Sequence, residues 1–278
     1  MRLKPGVTLD RAEDELRKAV MAFENAQSSQ PYETLWDGYL RAFDQVLRGL
    51  EQTFADPDLA GGLMSPAFWN LFQVGGIGPA ANRIVLGEVE AQLRVLREAE
   101  QDLAELKALA ERPGVPVVVD TNVLLRWDQP DHINWRTILK DDGANDPQTR
   151  LVVPLVVLDE LDRQKYGDGV LARRAATAIR YLDKALANGN AGATVRVKDG
   201  VTLEVGGLAM RRSTKDVDMQ ILLCAADLDQ LNPHAGTRVL TGDIGMRLRA
   251  AQMGLRTFQL PENHRKPGTA MSDAPSAG

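Results

Sequence analysis

The chain of 278 residues is 44% hydrophobic and 26% charged, enough to bury one large core or two smaller ones. This excludes a chain disordered throughout, a collagen-like repeat and a disulfide-stapled miniprotein. With 33 Lys plus Arg against 38 Asp plus Glu, the formal net charge of -5 taken whole speaks against a protein that clings to a polyanion.

The first 112 residues read as helix. Leu16, Val20 and Phe23 recur at helical spacing over residues 10–27, behind Asp10 and Glu13, which together resemble a capping box. Pro31 suits the first turn of a second helix, whose apolar face runs from Leu35 to Leu50. A turn-rich stretch, Asp56 to Gly62, ends it, and Ser65-Pro66 restarts a short helix through Phe72. A long helix follows from about Pro79 to Arg112, with Val85, Val89, Leu93, Leu96 and Leu103 near one stripe. The expectation is an all-α bundle or hairpin. Gly76-Ile77-Gly78-Pro79-Ala80-Ala81 fits the letters of a dinucleotide-binding turn, but without a preceding strand it reads as a connection between helices.

Beyond Pro113-Gly114 the pattern changes to short β-branched runs alternating with helices. Strands are expected at 115–119, 151–153, 238–240 and 256–260, and helices at about 156–166, 169–187, 216–230 and 244–253. Alternation of this kind predicts an α/β/α sandwich around a mostly parallel sheet. Two β-branched runs flank Lys198-Asp199-Gly200 and interrupt the pattern with a hairpin signal at 194–205. From about Glu262 the chain is polar and rich in Pro and Gly, which predicts a disordered tail over 263–278.

Ligands of open parallel sheets bind beyond the carboxyl ends of the strands, and here those positions are acidic. The first strand runs into Asp120-Thr121-Asn122. The second leads into a helix bearing Asp159, Glu160 and Asp162. Asp216-Val217-Asp218 precedes a long helix, and Thr241-Gly242-Asp243 follows the strand ending at Leu240. Four carboxylates in one cleft repel each other unless a cation offsets them. Hard oxygen donors suit Mg²⁺ or Mn²⁺, and one ion or a pair would support phosphodiester hydrolysis. One cysteine, Cys224, rules out a thiolate metal cage or an internal disulfide and reads as buried filler. His132, His234 and His264 lie in loops or the tail without ligand spacing, which argues against zinc. Asp120 also suits a helix cap, Asp216 a favourable charge near a helix start, and Asp159 and Asp162 read as solvated.

The segment Val117-Val118-Val119-Asp120-Thr121-Asn122-Val123-Leu124-Leu125, then Val156-Val157-Leu158-Asp159-Glu160-Leu161-Asp162, then Asp218-Met219-Gln220-Ile221 and Thr241-Gly242-Asp243, closely resembles the PIN-domain nucleases over about residues 114–262. The resemblance implies that Asp120, Glu160, Asp218 and Asp243 are the metal-binding and catalytic acids, with Asp216 the rival for the third place. It implies that Thr121, Asn122 and Thr241 support them by hydrogen bonds. It also implies metal-dependent cleavage of RNA, with single strands as the expected substrate. The Leu-Asp-Glu-Leu-Asp form looks more like the larger PIN proteins of RNA surveillance and of PIN–ATPase fusions than like toxin ribonucleases, although the chain carries no ATPase motif. A flap-type DNA nuclease, an RNA-binding scaffold without turnover and a toxin-like ribonuclease are the alternatives. A haloacid-dehalogenase-like phosphatase is disfavoured because Asn122 stands where that family has a second Asp.

The charge divides with the pattern. Residues 1–112 hold 12 Lys plus Arg and 18 Asp plus Glu, whereas 113–278 hold 21 and 20. With four acids neutralised by metal, the second part stands at about +5, which suits a polyanion. Arg163, Lys165, Arg173, Arg174, Arg211, Arg212 and Lys215 are the candidate phosphate contacts. Trp127 and Trp135 suit core packing, with stacking on unpaired bases as their other use. The expected divisions are a helical domain at 1–112, a nuclease domain at 113–262 and the tail. The acidic helical domain, with nine of the fourteen aromatics, is expected to carry a homo-oligomer or protein-partner contact rather than nucleic acid. No secretory signal opens the chain, and its apolar runs are far short of the roughly 20 residues that cross a bilayer, so a cytoplasmic protein without a membrane partner is expected.

Overall fold

The computed structural model describes residues 1–28, 35–74, 79–144, 146–187, 194–206 and 214–267. The chain divides into two compact units, Met1–Glu111 and Arg112–Gly278. Among the described residues no helix is long and apolar enough to cross a membrane.

The first unit is built from α1 (Leu9–Ser28), α2 (Leu35–Thr53), α3 (Pro57–Gly61), α4 (Pro66–Val74) and α5 (Pro79–Ala110). Helix α1 buries Ala12, Leu16, Ala19, Phe23 and Ala26, one stripe at three- and four-residue spacing, and packs on α2 and α5. Its first turn starts earlier than the Asp10 signal: the Thr8 hydroxyl accepts the Arg11 amide at 3.3 Å. Asp56, read as the start of a turn, caps the short α3 instead. The Ser65 hydroxyl accepts the Phe68 amide at 3.0 Å and so begins α4. The aromatics mostly fill the core, with Phe43 and Phe68 stacked at 4.2 Å and Phe23 6.1 Å from Tyr39. Gln92 donates to the Tyr39 hydroxyl, the Leu63 carbonyl and Glu88, which satisfies polar atoms inside this core. The glycine-rich letters at 75–78 lie outside the described residues.

The second unit runs β1 (Val115–Val119), α6 (Thr121–Arg126), α7 (Trp135–Asp141), β2 (Thr149–Pro154), α8 (Leu155–Gln164), α9 (Val170–Leu186), β3 (Val195–Lys198), β4 (Val201–Gly206), α10 (Val217–Leu231), β5 (Arg238–Leu240), α11 (Ile244–Gln252) and β6 (Arg256–Phe258). The strands form one sheet in the order β3-β4-β2-β1-β5-β6, parallel at every pair except β3 with β4. The α/β class with a mostly parallel sheet is therefore as expected. Every residue of β1 and β2 is buried, as central parallel strands require. Pro116 is tolerated in β1 because its pairing with β5 begins only at Val117.

Several expectations are corrected. The hairpin at 194–205 is not an interruption, since β4 pairs along its length with β2 and extends the parallel sheet. Helix α6 bears out the cap reading of Asp120, whereas α7 lies where no helix was expected, because it is shorter than the span over which apolar periodicity shows. Residues 263–267 are structured, in contrast to the disorder expected there. Trp127 and Arg265 form an antiparallel bridge, Lys266 N donates to the Arg126 carbonyl at 2.9 Å, and Asp128 N donates to His264 at 2.8 Å. Open backbone groups after α6 thus hold a polar strap whose composition alone suggested disorder. Residues 268–278 lie outside the described residues. Trp127 and Trp135 are both buried, the latter donating its indole N–H to the Pro130 carbonyl at 2.7 Å, so neither serves as a stacking platform. Cys224 is buried, as expected.

Candidate active site

The chain leaves β1, builds β2 and β4 on one side of it, and returns as β5 on the other. The strand order therefore reverses between β1 and β5, and such a reversal opens a crevice beyond the carboxyl ends. Asp120 follows β1 directly and Thr241-Gly242-Asp243 follows β5. The Asp120 amide donates to the Leu240 carbonyl at 3.1 Å, which extends the ladder and fixes the two segments side by side.

Asp120 is 3% exposed. Its carboxylate accepts the Asn122 amide at 3.3 Å, capping α6, and the Thr241 hydroxyl at 2.7 Å. Burial pushes its pKa up to about 6 against the pull of these two hydrogen bonds, and the Asp218 and Glu160 carboxylates push it further in the same direction. Asp120 is thus both the helix cap and a buried acid facing two others. Asn122 supports it through its backbone amide.

Thr241, fully buried, links the two segments: its hydroxyl donates to Asp120 and accepts the Asp243 amide at 3.0 Å. The exposed Asp243 carboxylate caps α11 by accepting the Met246 amide at 2.7 Å. Glu160, half-buried on α8, accepts the Thr121 hydroxyl at 2.5 Å and the Gln164 side-chain amide at 3.2 Å. Asp216 caps α10 by accepting the Met219 amide, while Asp218 stands in the first turn of the helix. Both are held by Arg249 of α11, at 3.0 Å to Asp216 and 2.6 Å to Asp218.

Asp120, Glu160 and Asp218 are thus electrostatic neighbours, and Asp243 joins Asp120 through the Thr241 hydroxyl. Among the described residues, no three acidic, histidine or cysteine side chains gather closely enough to share a metal ion. The donor chemistry suits a hard divalent cation all the same. Every candidate ligand is a carboxylate, and the buried one is pushed toward its neutral form by burial first and by the Asp218 and Glu160 charges after it. Arg249 supplies the counter-charge to Asp218.

The basic residues contribute less convergence. Arg163 and Lys165 turn back on their own segment, to the Asp159 carbonyl and the Asp162 carboxylate, and Lys165 lies 4.8 Å over the exposed Tyr166 ring. Arg174 donates to the Pro267 carbonyl at 2.6 Å. Arg173 and Lys215 are exposed, as are Asp159 and Asp162, and Arg211 and Arg212 lie outside the described residues. Sequence reasoning missed Arg249 and Gln164. Gln164 is four residues beyond Glu160 on one helix face, a signal that was available. Arg249 follows the buried Met246 by three positions, which places it beside the core stripe but does not name the acids across from it.

Comparison with known proteins bears on this unit alone. A solved domain of a functionally unknown protein from Methanocaldococcus jannaschii DSM 2661 is 16% identical, covers 53% of this chain and 92% of its own, and superposes with a TM-score of 0.33. No curated protein matches. The family model described as PIN domain matches residues 117–261, the stretch that carries β1 through β6 and all four acidic segments. The chain belongs to the PIN-domain family, a family of nucleases.

Proposed function

We propose that the chain is an endoribonuclease, dependent on Mg²⁺ or Mn²⁺, that hydrolyses phosphodiester bonds of single-stranded RNA. The observation that carries this reading is the buried Asp120 carboxylate at the β1/β5 crevice with Asp218 and Glu160 as charged neighbours. Asp120, Glu160, Asp218 and Asp243 would hold one or two ions. Bound there, the metal supplies the charge that offsets these acids, polarises a phosphoryl oxygen and lowers the pKa of an attacking water. Thr121 and Thr241 orient two of the acids by donating to Glu160 and Asp120. The helix caps at Asp120 and Asp243 fix the backbone from which two of the acids project. RNA rather than DNA rests on the family resemblance, since none of the residues singled out reads a 2′-hydroxyl.

A second reading, an RNA-binding scaffold without turnover, is favoured by one observation: Arg249 pairs with both Asp216 and Asp218 and offsets part of their charge, so the cleft has a resident counter-charge. Thermal unfolding with and without Mn²⁺ separates the two. The nuclease reading requires metal-dependent stabilisation of the wild type that Asp120→Asn loses, and the scaffold reading requires neither. For the acidic helical unit we propose self-association, which light scattering of the full chain tests: a mass at twice 30.4 kDa supports it, and a monomer mass contradicts it.

A further inference from the structure

A second polar cleft, of about 530 Å³, opens between α9, β3 and the turn at Pro130–His132. Its register places it away from the acids. Arg196 pairs with Thr202, Thr202 with Arg150 and Arg150 with Pro116, four residues before Asp120 and three strands across from it. At about 3.3 Å per residue and about 4.8 Å per strand, the separation is roughly 20 Å.

Arg180 and Lys184 of α9 and Arg196 of β3 line the cleft and are exposed. Arg180 donates to Thr177 of its own helix, and Arg196 forms an exposed ion pair with Asp199 of the hairpin turn, a weak partner readily exchanged for phosphate. Lys198 donates to the Asp131 and Ile133 carbonyls at 3.0 and 3.1 Å, which pins the turn as the far wall. Beneath the cations lie the Tyr181 hydroxyl and Asp131 Oδ1. Both are buried and lie against one another without the angles of a well-formed hydrogen bond. A poorly aligned pair of this kind keeps capacity for a polar ligand that brings a donor and an acceptor.

We propose that this cleft binds a nucleotide, with its phosphate on Arg180, Lys184 and Arg196 and its sugar or base polar groups on Tyr181 and Asp131. The volume suits one nucleotide, whereas a bare phosphate on the three cations would not engage the Tyr181–Asp131 pair. The nucleotide is either free or one unit of a strand that continues toward the acidic crevice. The second case rests on the RNA reading above, and the first does not.

The test uses the full chain in EDTA, so that no metal draws phosphate to the acidic crevice. Titration calorimetry with adenosine 5′-monophosphate and with inorganic phosphate is paired with anisotropy of a short labelled RNA strand. The expected result is saturable nucleotide binding tighter than phosphate binding, weakened at least about tenfold in Arg180→Ala/Arg196→Ala. Both arginines are exposed, so the variant keeps its fold, and Tyr181→Phe is expected to cost several-fold by removing one hydroxyl. If the strand is also bound through the cleft, the double variant loses strand affinity and its salt slope falls by about 1.4. Loss confined to the mononucleotide assigns the cleft to a free nucleotide. Wild-type binding no tighter for nucleotide than for phosphate, or a double variant that binds the nucleotide as wild type does, overturns the proposal. A protein that binds nucleotide here but neither binds nor cuts RNA contradicts the RNA reading and leaves this site standing.

Discussion

Asp120 shows how one side chain serves architecture and chemistry together. Its folded pKa of about 6 lies above the ordinary 3.8, so the native state holds the proton more tightly than the unfolded chain does. The stability contributed by the neutral form is fully present below about pH 4 and is lost as pH rises through 6. At about 1.4 kcal/mol per unit this amounts to about 3 kcal/mol at neutral pH. Asp120→Asn removes the buried charge and keeps the Thr241 hydrogen bond, while it loses about 1 kcal/mol where its amide faces the Asn122 N–H. In chelator at pH 8 the variant should therefore unfold a few degrees above wild type, with the difference vanishing near pH 4; a variant less stable at both values contradicts the account. Arg249→Ala tests the resident counter-charge. The pair is partly exposed, so its loss should cost under about 1 kcal/mol in chelator. It should also enlarge the stabilisation by Mn²⁺, and an unchanged Mn²⁺ response would show that Arg249 does not compete for Asp218. The acids were legible because residue type and position after a strand are local properties. Arg249 was not, because a guanidinium on one helix finds its acids on another only through tertiary packing.

At the scale of elements, the β1 and β5 ends form one device joined by Thr241. Replacing this buried hydroxyl by Val leaves Asp120 with the Asn122 amide as its remaining donor and the Asp243 amide without this acceptor, at a cost of about 1–3 kcal/mol, whereas Ser should retain most of the stability. Denaturant unfolding of the two variants checks the difference, and equal stabilities would mean that the bridge contributes nothing. The long periodic helices α1, α2, α5 and α9 and the buried runs of β1 and β2 were legible in the sequence, since each carries enough residues to display its period. The short α3 and α7 were not, because they are set by caps: Asp56 and Asn134 accept an amide two and three residues on. The hairpin was legible from Asp199-Gly200, but its membership of the parallel sheet was not, because strand partners are fixed by the whole topology.

For the whole molecule, the net charge of -5 averages an acidic helical unit with a near-neutral one that carries the candidate acids. The C-terminal strap belongs to that second unit. Lys266, its pKa lowered by burial first and by Arg174 second, donates to the Leu124 carbonyl at 2.9 Å and so ties the strap to α6, the helix that Asp120 caps. A chain ending at Pro261 should lose about 1–3 kcal/mol of stability. Unchanged thermal unfolding would show the strap to be dispensable. The central claim is most directly tested by incubating the purified chain and its Asp120→Asn and Asp243→Asn variants with labelled single-stranded RNA and DNA, in Mg²⁺, Mn²⁺ or chelator. The account predicts RNA cleavage by wild type only with metal and none by either variant, both of which stay folded. Cleavage that persists in chelator, or in the variants, would contradict it.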